Sequence, residues 1–311
     1  MKIDVKECAR ILKAQDNIRI YCHRDPDGDT IGCAMALTDA LTSMGKRVYV
    51  SCVSPIPENL KFIYKETEPF EEEFRLAVDI SNVKLLGDGE IRETPMDLCI
   101  DHHVSNEFYA KDTCLYTFSS AGELVYDILT EMGVTISPYA ATCLLTAITT
   151  DTGSFKYSEV TSKTLRTGAA LYDLGADKDK VRQEIYESRK KSRVKIEAMA
   201  MAGMEFFEND RIAVISISLD MMEKCGAKEE ELEGIASSSV SVKGVDIGFT
   251  IKERDDGYIR VSARTTEKAD ACKICQAFQG GGHVRASGCR IKATLEEAKE
   301  MLLAEARKQI L

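Results

Sequence analysis

The chain has 311 residues, 44% of them hydrophobic, and its 51 acidic against 41 basic side chains give a formal charge of −10. That length suits two domains, each burying its own core, and the acidic balance excludes a surface that coats long nucleic acid by counterion release. A small anionic substrate stays open, because bound divalent cations can overcompensate clustered carboxylates locally. No apolar run approaches the roughly 20 residues that span a bilayer. The N-terminal MKIDVKECARILKAQD reads as a charged amphipathic helix rather than a signal peptide. A cytoplasmic protein without membrane contact is expected. Eleven scattered cysteines read as reduced core thiols. The one CxxC, Cys272 to Cys275, lacks a second such pair and is taken as packing rather than zinc ligation.

In chain order, short apolar strands alternate with helical segments through about residue 155, the pattern of an α/β domain whose largely parallel sheet is flanked by helices. Strands are expected at 17–22, 47–53, 74–79 and 97–101. Residues 30–44 predict a helix opened by Thr30 and closed by Gly45, and further helices follow at about 120–132 and 138–149. From 161 to 203 charge is high and strand character low. A helix from Thr161 to Asp173, a break at Gly175 and a long helix from about Asp177 to Ala202 suggest a helical connector. Hairpins come next: 204–208 with 211–218 across Asn209-Asp210, and 245–254 with 258–264 across Asp255-Asp256-Gly257. With helices at about 228–238, 269–277 and 294–309, these make a smaller α+β domain. The expected division is 1–160, 161–203 and 204–311.

The chain has only four histidines, and each sits beside residues that bind divalent metal or phosphate: His23 in HRDPDGD, His102 and His103 in DHH, His283 in GGGH. Strand 17–22 runs straight into the first cluster, so an imidazole and three carboxylates leave the carboxyl end of a buried strand, where open α/β sheets place ligands. Pro26 and Gly28 supply a turn that sends Asp27 and Asp29 in different directions. Asp79 and Asp101 end two further strands at the same rim. So many carboxylates repel one another unless cations lie between them. Carboxylate and imidazole without thiolate favours Mn²⁺ or Mg²⁺, with Fe²⁺, Co²⁺ or Zn²⁺ as further candidates.

HRDPDGDTIG, the Asp of VDISN, IDHHVSN and TTDTGSF together resemble, in order, the four metal motifs of the DHH phosphoesterase superfamily. The resemblance implies a pair of Mn²⁺ ions, one on His23, Asp27 and Asp79, the other on Asp29, Asp79, His102 and Asp151. Asp25 stands where relatives often carry Asn, an extra carboxylate beside the preferred Asp27 and Asp29. Asp79 belongs to the catalytic set as the bridge, Asp101 as an acceptor that orients an imidazole, and His103 as the residue facing substrate or leaving group.

Gly280-Gly281-Gly282-His283, followed by VRASG, permits close backbone approach to an anion, although a hairpin turn explains such glycines equally well. Arg264 ends a strand nearby in sequence as a fork-shaped donor. GGGHVRASG with VSARTT looks like the C-terminal DHH-associated domain, which implies Arg264, Gly281, Gly282, His283 and Arg285 as substrate ligands. By the same resemblance Ser119 to Glu123 lie near the substrate. Ser188-Arg189-Lys190-Lys191 resembles the basic motif of manganese pyrophosphatases, but its place in the connector favours a solvated or interdomain helix. The whole is closest to the two-domain, NrnA-like branch. That implies hydrolysis of short oligoribonucleotides and of 3'-phosphoadenosine 5'-phosphate (pAp), and of pApA or linear products of cyclic dinucleotides. Pyrophosphatase and non-catalytic nucleotide-binding regulator are the alternatives. A second phosphate held by the C-terminal domain would act as a ruler that excludes long duplexes, and the connector implies opening and closing around substrate. The expected partners are short RNA and nucleotides, and a homodimer is compatible with the sequence.

Overall fold

The structure, a computed structural model, describes residues 1–232 and 234–310. It divides into two units, Met1–Ser188 and Arg189–Leu311.

In the first unit six short strands, Lys2–Ile3 (β1), Ile18–Tyr21 (β2), Val48–Ser51 (β3), Phe74–Val78 (β4), Leu98–Asp101 (β5) and Asp112–Leu115 (β6), form one parallel sheet in the order β1-β6-β5-β4-β2-β3. β2, β4 and β5 are apolar almost throughout because residues on both faces are covered. The helices are Val5–Ala14 (α1), Gly28–Ser43 (α2), Ala121–Met132 (α3), Pro138–Asp151 (α4), Ser162–Asp173 (α5) and Lys178–Val181 (α6). The two-residue β1 is too short to register in sequence, and β6, with the polar Asp112 and Thr113 at its start, lacks the apolar run that marks β2, β3 and β5.

Three local differences from the sequence expectation shape the site. α2 starts at Gly28, not Thr30: the Asp27 carboxylate accepts from the backbone N–H of Asp29 and Thr30 at 3.0 and 3.1 Å, and Thr30 instead donates its hydroxyl to the Val78 carbonyl at 3.0 Å. An extended Asp is the better cap. β4 stops at Val78 because Asp79 takes a left-handed φ of 59°, a conformation that costs a non-glycine residue energy and lifts its side chain off the strand path. Third, α4 runs two residues beyond the expected 149, to Asp151. α2 and α4 approach through glycine. A Cβ on Gly28 would lie 2.3 Å from the Thr150 hydroxyl oxygen, and one on Gly32 2.4 Å from the Cys143 carbonyl oxygen.

The expected long helix from Asp177 to Ala202 is broken. α6 passes into a π-helical stretch over Arg182–Glu187, Ser188 leaves helical geometry, and a new helix, Lys191–Ala202 (α7), belongs to the second unit. The segment RQEIYESRKK lacks an apolar stripe to hold one continuous helix, and its charges pair locally, Arg182 with Glu187 and Arg189 with Glu197. The unit boundary thus falls inside 161–203.

In the second unit the strands are Glu205–Phe207 (β7), Ile212–Ile217 (β8), Ile247–Glu253 (β9), Ile259–Thr265 (β10), Gly281–Gly282 (β11) and Ala286–Ile291 (β12). Their order is β11-β12-β10-β9-β8-β7, antiparallel except for β8 beside β9. Besides α7, the helices are Leu219–Cys225 (α8), Ile235–Ser238 (α9), Ala271–Gln276 (α10) and Leu295–Ile310 (α11). Gly234, at φ 81°, splits the helix expected at 228–238 into a 3-10 turn and α9. Phe249, Ile251 and Val261 pack with Ile274, Leu302 and Leu303 on one face of the sheet, while Ile215 and Ile217 pack with Ile196, Ala200 and Ile235 on the other. Cys275 contacts the thiol of Cys289 on β12, and Cys272 joins no metal-ligating group among the described residues.

Candidate metal centre and phosphate loop

Every residue expected to hold a cation lies in the first unit, at the carboxyl rim of β2, β4 and β5 and the facing ends of α2 and α4. Asp79 sits at the middle. Its Oδ1 is 3.4 Å from Nε2 of His102 and 3.6 Å from Nδ1 of His103, and its Oδ2 is 3.7 Å from Nε2 of His23. His23 is also 3.4 Å from Asp27 Oδ1. His102 Nε2 lies 3.7 Å from Asp29 and 3.5 Å from Asp151. Three overlapping donor groups result: His23, Asp27 and Asp79; Asp29, His102 and Asp151; Asp79, His102 and His103. Asp25, by contrast, is exposed and pairs with Arg24 at 3.5 Å.

The surroundings orient these donors. His102 offers Nδ1 to the Phe118 carbonyl at 3.0 Å, which leaves Nε2 facing the carboxylates. Asp29, 1% exposed, is gripped by the opening of α3: Oδ2 accepts from the Ala121 N–H at 2.7 Å, and Oδ1 accepts from the Ser120 hydroxyl at 2.9 Å and the Gly122 N–H at 3.0 Å. A helix N-terminus favours a carboxylate in this position. The segment 119–123, which the resemblance put near substrate, therefore works on Asp29, while Ser119 and Glu123 bond each other and Thr164. Asp101 is fully buried. It holds His103 Nδ1 at 2.7 Å and accepts from the Asn106 amide at 2.6 Å. No role was assigned to Asn106, Phe118 or the α3 amides from sequence. Asn106 closes the IDHHVSN motif and could have been suspected there; backbone donors carry no sequence signal.

The electrostatics fit a cation. Burial first, then the neighbouring Asp29, push the Asp79 carboxyl well above its ordinary range, and the same two causes raise Asp151 to about 7. Burial alone would lower His102, but Asp79 and Asp29 outweigh it and lift the imidazole to about 10. Burial likewise opposes ionisation of Asp101, yet the bonds from His103 and Asn106 win and hold it below its usual value. Among the described residues Asp79 Oδ1 is buried with no well-aligned hydrogen-bond donor, His102 Nε2 standing 3.4 Å away, a costly state that a cation between the clustered oxygens relieves. The oxygen-and-imidazole donor set, free of thiolate, suits Mn²⁺ or Mg²⁺.

In the second unit GGGH is an ordered hairpin. Gly281 and Gly282 on β11 pair with Gly288 and Ser287 on β12, and His283 and Ala286 exchange backbone hydrogen bonds at 2.8 and 3.2 Å. Gly280 and Gly282 are needed by the fold, since a Cβ would lie 2.3 Å from the Gly288 carbonyl oxygen and 2.7 Å from that of Ala286, respectively. Gly281 is not: a Cβ there meets nothing within 4 Å. His283 is exposed, and Arg285 is exposed with its guanidinium bonded to the carbonyls of Thr266 and Ala269. Half-buried Arg264 donates to the Ala263 carbonyl at 3.0 Å. Two of the cations in the Ser188 to Lys191 stretch are engaged locally, Arg189 by Glu197 and Lys190 by Glu231 at 3.5 Å.

A parallel sheet with acidic and imidazole side chains gathered at its carboxyl rim, joined to a mixed-sheet domain with a glycine hairpin, is the frame of a two-domain DHH protein. Residues 17–148 match the N-terminal domain of the DHH family and residues 209–311 match the DHHA1 domain, so the chain carries both domains. It is 28% identical to the bifunctional oligoribonuclease and PAP phosphatase NrnA of Thermus thermophilus, over 97% of this chain and 93% of that one. Its identity to the Bacillus subtilis protein of the same name is 26%, over 92% of each. Among solved structures, an exopolyphosphatase-related protein from Bacteroides fragilis superposes with a TM-score of 0.89 at 26% identity, covering 98% of this chain and 95% of that one. No helix among the described residues is long and apolar enough to cross a membrane.

Proposed function

We propose that this protein is a divalent-cation-dependent phosphoesterase that hydrolyses short oligoribonucleotides to mononucleotides and pAp to AMP, and that it also takes pApA. The observation that carries this reading is the buried Asp79 oxygen, without a well-aligned donor among the described residues, set among three imidazoles and the carboxylates of Asp27, Asp29 and Asp151. The naming of its relatives supports the substrate class. In our reading His23, Asp27 and Asp79 hold one ion and Asp29, Asp79, His102 and Asp151 the other, with Mn²⁺ preferred over Mg²⁺, Co²⁺ or Fe²⁺. Divalent cations so held offset phosphate charge and make water acidic enough to attack near neutral pH.

The chain's own groups do the rest. Asp101 fixes His103 through Nδ1, so Nε2 is the ring nitrogen that passes a proton to the departing ester oxygen as the P–O bond breaks. Arg264, His283 and Arg285 hold a further phosphate of the substrate, and Gly281 lets it approach the backbone. Eleven free cysteines accord with a cytoplasmic setting.

The test is a panel of pAp, pApA, a five-nucleotide RNA, cyclic di-AMP and pyrophosphate, each with Mn²⁺ and with Mg²⁺. Release of AMP from pAp and of mononucleotides from the RNA is expected, with loss of roughly a thousandfold or more in Asp79→Ala. Cleavage of pyrophosphate alone, or nucleotide binding without turnover, would overturn it.

A further inference from the structure

The carboxylates of the cation centre are not held alike. Asp29 accepts from three donors at the opening of α3, and Asp27 accepts from two backbone amides. The Asp151 carboxylate, 32% exposed, meets no donor closer than His102 Nε2 at 3.5 Å among the described residues. Its aim is therefore set by the backbone at the end of α4. That backbone turns sharply. Gly153, Ser154 and Phe155 take left-handed φ of 56°, 61° and 63° in succession, a conformation that costs the two non-glycine residues energy and persists only where neighbours hold it. One such hold comes from Tyr186. Its hydroxyl donates to the Thr149 carbonyl at 2.6 Å, the Ser154 N–H donates to the same oxygen at 2.7 Å, and Ser154 lies against that hydroxyl as well. Tyr186 belongs to the π-helical stretch Arg182–Glu187. A residue inserted into a helical turn rotates those after it by about 100°, so the widened turn governs which side chain meets α4. On this side of α4 a cavity of about 250 Å³, lined by Thr149, Ser154, Phe155, Tyr172 and Tyr186 among others, stands in place of close packing.

We propose that Tyr186 is a positioning residue: by capping the end of α4 from outside the helix, it fixes the reach of Asp151 toward the second cation. The inference rests on the reading of Asp151 as a ligand of that ion. Without the hydroxyl, the Thr149 carbonyl keeps a single donor and the left-handed turn loses a hold. The Asp151 carboxylate, with no hydrogen bond of its own, then loses its fixed aim. His23, Asp27 and Asp79 sit on other elements and keep theirs.

The experiment is a Mn²⁺ titration of the full chain, Tyr186→Phe and Tyr172→Phe, followed by calorimetry and electron paramagnetic resonance, with melting temperatures taken in EDTA and in saturating Mn²⁺. The full chain is expected to take up two ions and to show the spin-coupled signal of a neighbouring pair. In Tyr186→Phe, which keeps the ring, one of the two affinities falls roughly tenfold. The coupled signal then gives way to that of an isolated ion, and the rise in melting temperature on adding Mn²⁺ shrinks. Tyr172→Phe removes a hydroxyl from the same cavity without breaking a bond to α4, and should match the full chain. Unaltered affinities and coupling in Tyr186→Phe, even with a lower melting temperature in EDTA, or an equal loss in Tyr172→Phe, overturn the inference and leave the two-ion reading standing. A full chain that binds fewer than two ions sinks that reading and takes the inference with it.

Discussion

The protonation of single side chains decides how the centre loads. In the cation-free site Asp79 and Asp151 titrate high, Asp151 at about 7, and His102 at about 10; a divalent ion must displace those protons. Affinity for Mn²⁺ should therefore rise from pH 5 to 8, with proton release seen by calorimetry in buffers of different ionisation enthalpy. Binding without proton release at pH 6 would contradict the clustered arrangement. The sign for stability is opposite to that of a salt-bridged carboxylate. The raised Asp151 contributes stability to the cation-free protein at low pH, fully below the ordinary carboxylate range, and loses it as pH rises through about 7. That decline in melting temperature should vanish with Mn²⁺ present. Asn106, bonded to Asp101 at 2.6 Å, positions His103 through it; Asn106→Ala should lower kcat about tenfold with little change in KM. His23, Asp27, Asp29, Asp79 and Asp101 stand out in sequence because their motifs follow or end apolar strands, whereas Asp151, at the end of a helix, is singled out only by the family resemblance. The amides of Ala121 and Gly122 do not stand out, since any residue supplies them.

Among elements, the helix pair α2 and α4 sets the gap that Asp29 and Asp151 face across. Gly32→Ala would drive a methyl into the Cys143 carbonyl, at a cost of about 1–3 kcal/mol, and should weaken Mn²⁺ binding more than it lowers the melting temperature of the cation-free chain. Ser120→Ala removes both the cap of α3 and one donor to Asp29. A loss of about 1 kcal/mol in chemical denaturation is expected, together with weaker Mn²⁺ binding, whereas an ordinary cap would affect stability alone. Elements with whole turns of apolar periodicity, such as α3 and α4, could be read from sequence. β11 and β12 could not be read as strands, although the glycines allow a hairpin turn: the alternation of Ala286 to Ile291 becomes a strand through pairing with β10 and with Gly281 and Gly282, a tertiary effect.

For the whole molecule, the distribution of donors between units matters: all six proposed cation ligands precede Ser188, and Arg264, His283 and Arg285 follow it. A fragment of residues 1–188 that folds should keep Mn²⁺ binding by calorimetry while losing measurable affinity for pAp. Retained pAp affinity would mean that the second unit does not hold the nucleotide. The left-handed backbone at Asp79 reaches furthest. Glycine or asparagine would relax that kink, and either would remove the charge around which the centre is organised. Breeding this protein by heat challenge alone would thus reward inert descendants, tougher than their parent and useless as catalysts. Hardening without such loss has to come from positions remote from the sheet's carboxyl rim.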